Sequence, residues 1–171
     1  IIQSTKRRTL WLGANLITAI LAAAAIGIFE ATIEKIVALA ILMPIVASMG
    51  GIAGMQSLAL IIRSQATNQI GSSNSKLLIL KESAIGVLNG ILWSSVVSIA
   101  VYLWFDSIFL GVVIAVALLV NLIIGAISGV TLPLILKKLN IDPAIAGGVI
   151  LTTITDIVGF ISLLGVATLI M

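Results

Sequence analysis

Asp156 is the residue of this sequence with the clearest chemical significance, because it lies near the middle of the apolar run 144–171. That run is long enough to cross a bilayer, which takes about 20 apolar residues. A carboxylate at such a depth costs about 3 kcal/mol unless it faces water, a cation or a partner helix. The run contains no Lys, Arg or His. We therefore predict that Asp156 meets a permeating cation; the alternative is a protonated or hydrogen-bonded carboxyl group that only holds helices together.

Two threonines add oxygen atoms near this carboxylate. Thr152 and Thr153 precede Asp156 by about one helical turn, so all three share one side of a helix. Threonine hydroxyls in helices often bond to their own backbone, and their presence alone is weak evidence for a site. Hard divalent ions such as Mg²⁺ prefer oxygen ligands, and Mg²⁺ gives up its water reluctantly. The pattern predicts an oxygen-only environment for a hydrated cation.

Small residues recur at helical spacing in an earlier apolar segment. Gly50 and Gly54 are one turn apart, with Gly51 alongside, and Pro44 precedes them. Glycines leave carbonyl oxygens uncovered, and those of Gly50, Gly51 and Gly54 are able to coordinate a hydrated cation. Close packing of helices, with no role in binding, is the preferred interpretation from composition alone. Packing is the preferred interpretation of a second small-residue stripe, which comprises Asn121, Gly125, Ser128 and Gly129.

The composition indicates an integral membrane protein with one domain. Of 171 residues, 61% are hydrophobic and only 9% are charged, whereas charged residues make up about a quarter of a soluble domain. The sequence has no Cys and no His, which excludes disulfides, thiolate metal sites and the usual general base. We therefore expect no enzyme. The net charge of +3 follows from the membrane topology and does not indicate nucleic-acid binding.

Five apolar segments predict an all-α, multi-pass protein of the cell membrane. They cover residues 10–29, 36–62, 85–105, 108–136 and 143–171. Basic residues concentrate on the cytoplasmic side of membrane proteins. Eight of the nine lie on one side of the predicted bilayer, namely Lys6, Arg7, Arg8, Arg63, Lys76, Lys81, Lys137 and Lys138. The N terminus is therefore predicted inside and the C terminus outside.

The connection at residues 64–83 is the only sizeable predicted loop. Its second half, 75–83, has leucines interleaved with Lys76, Lys81 and Glu82. That pattern is typical of a short amphipathic helix at the membrane surface. We expect such a helix before the third span begins.

Two stretches resemble the membrane domain of the MgtE family of magnesium channels and transporters. One is PIVASMGGIAGMQS at residues 44–57, with a proline, a glycine pair and a Gly-x-Gln-Ser pattern. The other is DPA at residues 142–144 continuing to LTTITD at 151–156, similar to the family's Asp-Pro-Ala and Thr-x-x-Asp run. The resemblance covers essentially the whole chain.

The resemblance implies a homodimer whose ion path follows the dimer axis, lined by the second and fifth spans. It implies that Asp156 is the central acidic site for hydrated Mg²⁺, with glycine carbonyls and the two threonines nearby. Typical members also carry an N-terminal helical domain and paired CBS domains in the cytoplasm. We expect residues 1–171 to form a single transmembrane domain without those regulatory domains, and the resemblance does not identify a separate regulatory partner.

Two positions depart from the family pattern, where Asn commonly follows the glycine pair and a polar residue precedes the Gln. Here they are Ile52 and Met55, which predicts looser selection of Mg²⁺ over ions such as Mn²⁺ and Co²⁺. Two other functions stay open at this point. One is a proton-coupled metal exchanger that uses Asp156, and the other is a membrane assembly subunit whose glycine stripes only dock partners.

Overall fold

The computed structural model describes residues 2–67 and 75–171, and these contain α-helices and no strands. Five of the helices are long and apolar enough to cross a membrane, which confirms the predicted fold class. A short helix between the first two spans was not predicted. In chain order the helices are α1 (Ile2–Gly27), α2 (Glu30–Lys35), α3 (Ala38–Ala66), α4 (Ser75–Phe105), α5 (Ile108–Lys138) and α6 (Pro143–Ile170).

The turns on either side of α5 show why the last helices begin where they do. Asp106 has a φ of 47° and forms a very short turn with Ser107, so α4 and α5 make a helical hairpin. The Ser107 hydroxyl caps α5 by accepting from the Leu110 N–H at 3.3 Å. At α6, the Asp142 carboxylate accepts from the Ala144 N–H at 2.9 Å, and Pro143 occupies the first helical position. Both caps satisfy donors that a helix start leaves free.

The central helix of the bundle is α5, which packs against α3, α4 and α6. Its buried side chains join those of α3 and α6 in one apolar core. Members of that core with no exposed surface include Leu39, Leu42, Val46, Val113, Ile114, Leu118, Leu163 and Leu164. The position of α5 fixes how α3 and α6 meet, which is where the candidate site lies.

Glycines bring α3 and α5 into backbone contact. A Cβ built on Gly125 would lie 2.6 Å from the Gly50 carbonyl oxygen, and one on Gly54 would lie 2.9 Å from the Gly125 carbonyl oxygen. A Cβ on Gly129 would meet the Gly54 carbonyl oxygen as well. Helices in lipid associate through such small residues. The packing interpretation of the stripe on α5 is confirmed.

The prediction of a separate surface helix at 75–83 is wrong, because this stretch is the first part of α4 and continues directly into the third span. Glu82 is 6% exposed and accepts a hydrogen bond from the Ser57 hydroxyl of α3 at 2.7 Å. Leu77 and Leu80 point outward instead, with 69% and 68% of their surface exposed. In lipid, the apolar side of a helix faces outward and its polar side faces the protein interior. This is the reverse of the arrangement in a helix that packs on a protein surrounded by water. Residues 68–74 of the predicted loop lie outside the described residues.

Candidate metal-binding site

A cavity of about 570 Å³ lies between α3 and α6, and it is open on one side. Most of its wall is apolar, and its polar side chains come from both helices. The lining residues are Ala47, Ser48, Gly51, Ile52, Met55, Gln56, Ala59, Thr152 and Asp156.

Asp156 is the only charged residue among these lining residues and is half-buried in α6. Neither Lys nor Arg reaches the cavity wall within the part of the chain that the structure describes. A carboxylate in a membrane-spanning segment is costly without a compensating charge or water. The cavity therefore offers a cation both a negative charge and room for its water.

The two threonines before Asp156 have different surroundings. Thr152 lines the cavity, and its hydroxyl donates to the carbonyl oxygens of Gly148 at 3.0 Å and Val149 at 3.1 Å. Because the hydroxyl proton is used on the backbone, the oxygen lone pairs remain available to a ligand. Thr153 donates to the Val149 carbonyl at 2.7 Å and is not part of the cavity wall.

The three glycines that were considered as cation ligands also have different surroundings. Gly51 lines the cavity, and a Cβ built on it would come no closer than 3.7 Å to another residue, at the Thr155 hydroxyl. Gly50 and Gly54 are buried against α5, with their carbonyl oxygens beside Gly125 and Gly129. The structure thus brings Gly51, Thr152 and Asp156 together, and it does not bring Gly50, Gly54 or Thr153 to the cavity. The position of Gly50 and Gly54 favours the packing alternative for those two residues.

Sequence reasoning missed two polar residues of the wall, Ser48 and Gln56 of α3. They lie eight residues apart, with Gly51 and Ile52 between them at helical spacing, so a shared face could have been recognised. Ile52 and Met55 also face the cavity and are 56% and 43% exposed. The two positions that depart from the family pattern are therefore in contact with the candidate site.

Asn121 of α5 holds the two walls of the cavity in place. It has no exposed surface, and its side-chain N–H donates to the Val46 carbonyl of α3 at 2.8 Å. A Cβ built on Gly159 of α6 would lie 2.7 Å from the same amide nitrogen, and a Cβ on Gly50 would meet it too. Gly50 adjoins Gly51, and Gly159 follows Asp156 by about one turn. One amide thus touches both helices directly behind the site.

The donor set fits a hard cation that keeps its water. Residues with carboxylate, hydroxyl and amide side chains line the wall, and oxygen ligands are what Mg²⁺ prefers. Six waters occupy roughly 180 Å³ at about 30 Å³ each, so the cavity has room for a fully hydrated ion. One carboxylate acting through water suits an ion that must be released again.

Known proteins are similar to this chain over nearly its whole length. Residues 43–166 match the family model MgtE, described as a divalent cation transporter. The chain is 37% identical over 162 residues to the magnesium transporter MgtE of Bacillus subtilis (strain 168), across 95% of this chain and 36% of that protein. It is 31% identical over 164 residues to the magnesium transporter MgtE of Thermus thermophilus, across 96% of this chain and 36% of that protein. The chain spans roughly a third of the length of these curated relatives.

Proposed function

Because the chain belongs to the MgtE family of divalent cation transporters, we propose that it passes hydrated Mg²⁺ through the membrane and into the cell. The observation that carries this proposal is the Asp156 carboxylate in a roomy cavity whose described wall holds no compensating Lys or Arg. The relatives named above are magnesium transporters, which makes Mg²⁺ the first ion to test.

The membrane potential supplies the driving force for entry. With the inside negative, a divalent ion gains about 4.6 kcal/mol per 100 mV, twice the value for a single charge. Asp156 is half-buried and not fully enclosed, so the ion reaches the carboxylate without giving up all of its water. Attraction through a water shell is weak enough to allow release, which conduction requires.

Selection of the ion then depends on hydrogen bonds from its bound waters. Asp156 accepts most strongly because it is charged, and the Thr152, Ser48 and Gln56 side chains add neutral acceptors around it. Ile52 and Met55 occupy the same wall without a good acceptor, since a thioether is only a weak one. We expect Mn²⁺ and Co²⁺ to compete more effectively here than in relatives with polar residues at these positions.

A homodimer completes the site in this proposal. The cavity is open on one side of the protomer, and Ile52 and Met55 stand exposed along that side. A second copy placed there would enclose the path and bring two Asp156 carboxylates towards one axis. The N terminus faces the cytoplasm in this arrangement, as the distribution of basic residues in the sequence indicates.

Mg²⁺ uptake into liposomes that carry the purified chain tests the function. We expect uptake driven by an inside-negative potential, with no requirement for a pH gradient. Uptake that appears only with an imposed proton gradient would instead support the coupled exchanger. A complete lack of uptake by well-folded protein would support the assembly subunit, and empty liposomes provide the background.

A further inference from the structure

A second buried carboxylate lies outside the Asp156 cavity, at Glu82 of α4. Glu82 is 6% exposed, and the hydrogen bond that it accepts from the Ser57 hydroxyl measures 2.7 Å. Among the described residues no Lys or Arg forms an ion pair with it, and the adjacent Lys81 is exposed. A single neutral hydrogen bond does not offset the burial of a carboxylate charge.

The space beside Glu82 is a cavity with several polar side chains in its wall. A cavity of about 250 Å³ lies between α3, α4 and α5, and its polar wall consists of Gln56, Ser57, Glu82 and Asn89. Each of these side chains offers an oxygen atom, and no nitrogen base or sulfur ligand is among them. At about 30 Å³ per water, the cavity holds roughly eight water-sized units. A complete shell of six waters needs about 180 Å³ by the same measure, so an ion that exchanges some of its water for protein oxygens has room here.

We propose that Glu82 forms a second divalent-cation site, in which its carboxylate and the amide oxygens of Gln56 and Asn89 hold a partly hydrated ion. The Ser57 hydroxyl donates to one carboxylate oxygen and leaves the other free for the cation. Hard divalent ions select such oxygen donors. The ion supplies the positive charge that the described residues do not provide near Glu82.

This site is distinct from the Asp156 site but adjoins it. Gln56 lines both cavities, whereas Asp156 belongs to the α3–α6 side of α3 and Glu82 to the α3–α4–α5 side. The two cavities therefore share one lining residue, and each carboxylate can be altered without changing the other. Occupancy of the Glu82 site does not depend on transport through the Asp156 cavity.

Counting bound Mn²⁺ by electron paramagnetic resonance tests the second site, with the full chain in detergent and Mg²⁺ as competitor. Asp156→Asn should remove the first site and leave Mn²⁺ bound at Glu82. Adding Glu82→Gln to that variant should abolish the remaining binding, while the matched change Glu34→Gln, at an exposed residue of α2, should leave it unchanged. Equal Mn²⁺ binding with and without Glu82→Gln in the Asp156→Asn background overturns the proposal.

A second variant keeps the test valid if Glu82→Gln folds poorly. Asn89→Leu leaves the Glu82–Ser57 hydrogen bond intact and removes one oxygen from the exposed edge of the cavity. We expect it to weaken the remaining Mn²⁺ binding about tenfold, as loss of a supporting group typically does. Unchanged affinity in Asn89→Leu, or an infrared carboxylic-acid band of Glu82 that persists at saturating Mg²⁺, contradicts a cation site.

Discussion

Replacing Gly54 with alanine tests the packing that positions α3, because the structure leaves no room for a methyl group there. A Cβ at this position would lie 2.9 Å from the Gly125 carbonyl oxygen and 2.9 Å from the Leu151 Cδ1 atom. Leu151 can rotate, but the Gly125 oxygen belongs to the backbone of a neighbouring helix. Gly51→Ala is the matched control, since its Cβ would have 3.7 Å of clearance on the same helix.

The expected change in the unfolding free energy is the sum of two opposing effects. Insertion of a methyl group into a packed interface costs about 1–3 kcal/mol. Alanine in place of glycine inside a helix contributes about 1 kcal/mol in the other direction. The second effect is common to both variants and cancels in their difference. We therefore expect the unfolding free energy of Gly54→Ala to be lower than that of Gly51→Ala by about 1–3 kcal/mol.

Equilibrium unfolding in mixed micelles with increasing sodium dodecyl sulfate, followed by circular dichroism, measures this difference. Gly54→Ala should unfold at a lower detergent fraction than wild type, and Gly51→Ala at the same or a higher one. Equal midpoints and slopes for the two variants would falsify the close contact between α3 and α5. Stability is the quantity compared, so an effect of Gly51→Ala on transport does not affect the conclusion.

Three further predictions concern the candidate site. Asn121→Ala removes the hydrogen bond to Val46 and should lower the unfolding free energy by about 1–3 kcal/mol in the same assay; an unchanged midpoint would show that the amide does not brace the cavity. Ile52→Asn should raise the preference for Mg²⁺ over Mn²⁺ and Co²⁺ in competition binding, and an unchanged preference would remove position 52 from ion selection. Thr152→Val should weaken Mg²⁺ binding several-fold by isothermal calorimetry, whereas Thr153→Val should not; equal effects would contradict their different placement.

The five spans, and the position of Asp156 inside one of them, could be predicted because a membrane requires long apolar runs, in which a charged residue is unusual. In a chain of this composition, apolar runs of 20 residues or more are typical of helices that cross a bilayer. A lone acid inside such a run stands out because nothing beside it in sequence compensates its charge. The predicted fold class required no knowledge of how the helices pack.

Which of the candidate site residues line the cavity and which do not could not be predicted, because this depends on the rotation of each helix about its axis. Gly50 and Gly51 are neighbours in sequence but point about 100° apart around α3, so one meets α5 and the other the cavity. Which face of α3 meets α6 is decided by the packing of α5 against both helices. The spacing of Ser48 and Gln56 shows that they share a face of α3, but it does not show that this face meets α6.

Glu82 shows a different limit of sequence reasoning. Leucines interleaved with charged residues predicted a short amphipathic helix at the membrane surface, with its charged side facing water. The structure instead buries Glu82 and exposes Leu77 and Leu80. Ser57 of α3, a residue distant in sequence, donates a hydrogen bond to Glu82 that the pattern of residues 75–83 does not reveal.

The most direct test of the central claim is Mg²⁺ uptake into liposomes by Asp156→Asn, compared with Asp106→Asn. Both changes replace a carboxylate with an amide of similar size, but Asp106 lies exposed in the α4–α5 turn, where Asn also accepts its positive φ. Hydrogen bonds to a charged group contribute about 1.5–3 kcal/mol, so we expect uptake by Asp156→Asn to fall at least about tenfold. Uptake by Asp106→Asn should equal that of wild type. Wild-type uptake by a well-folded Asp156→Asn protein would contradict the assignment of Asp156 to the ion path.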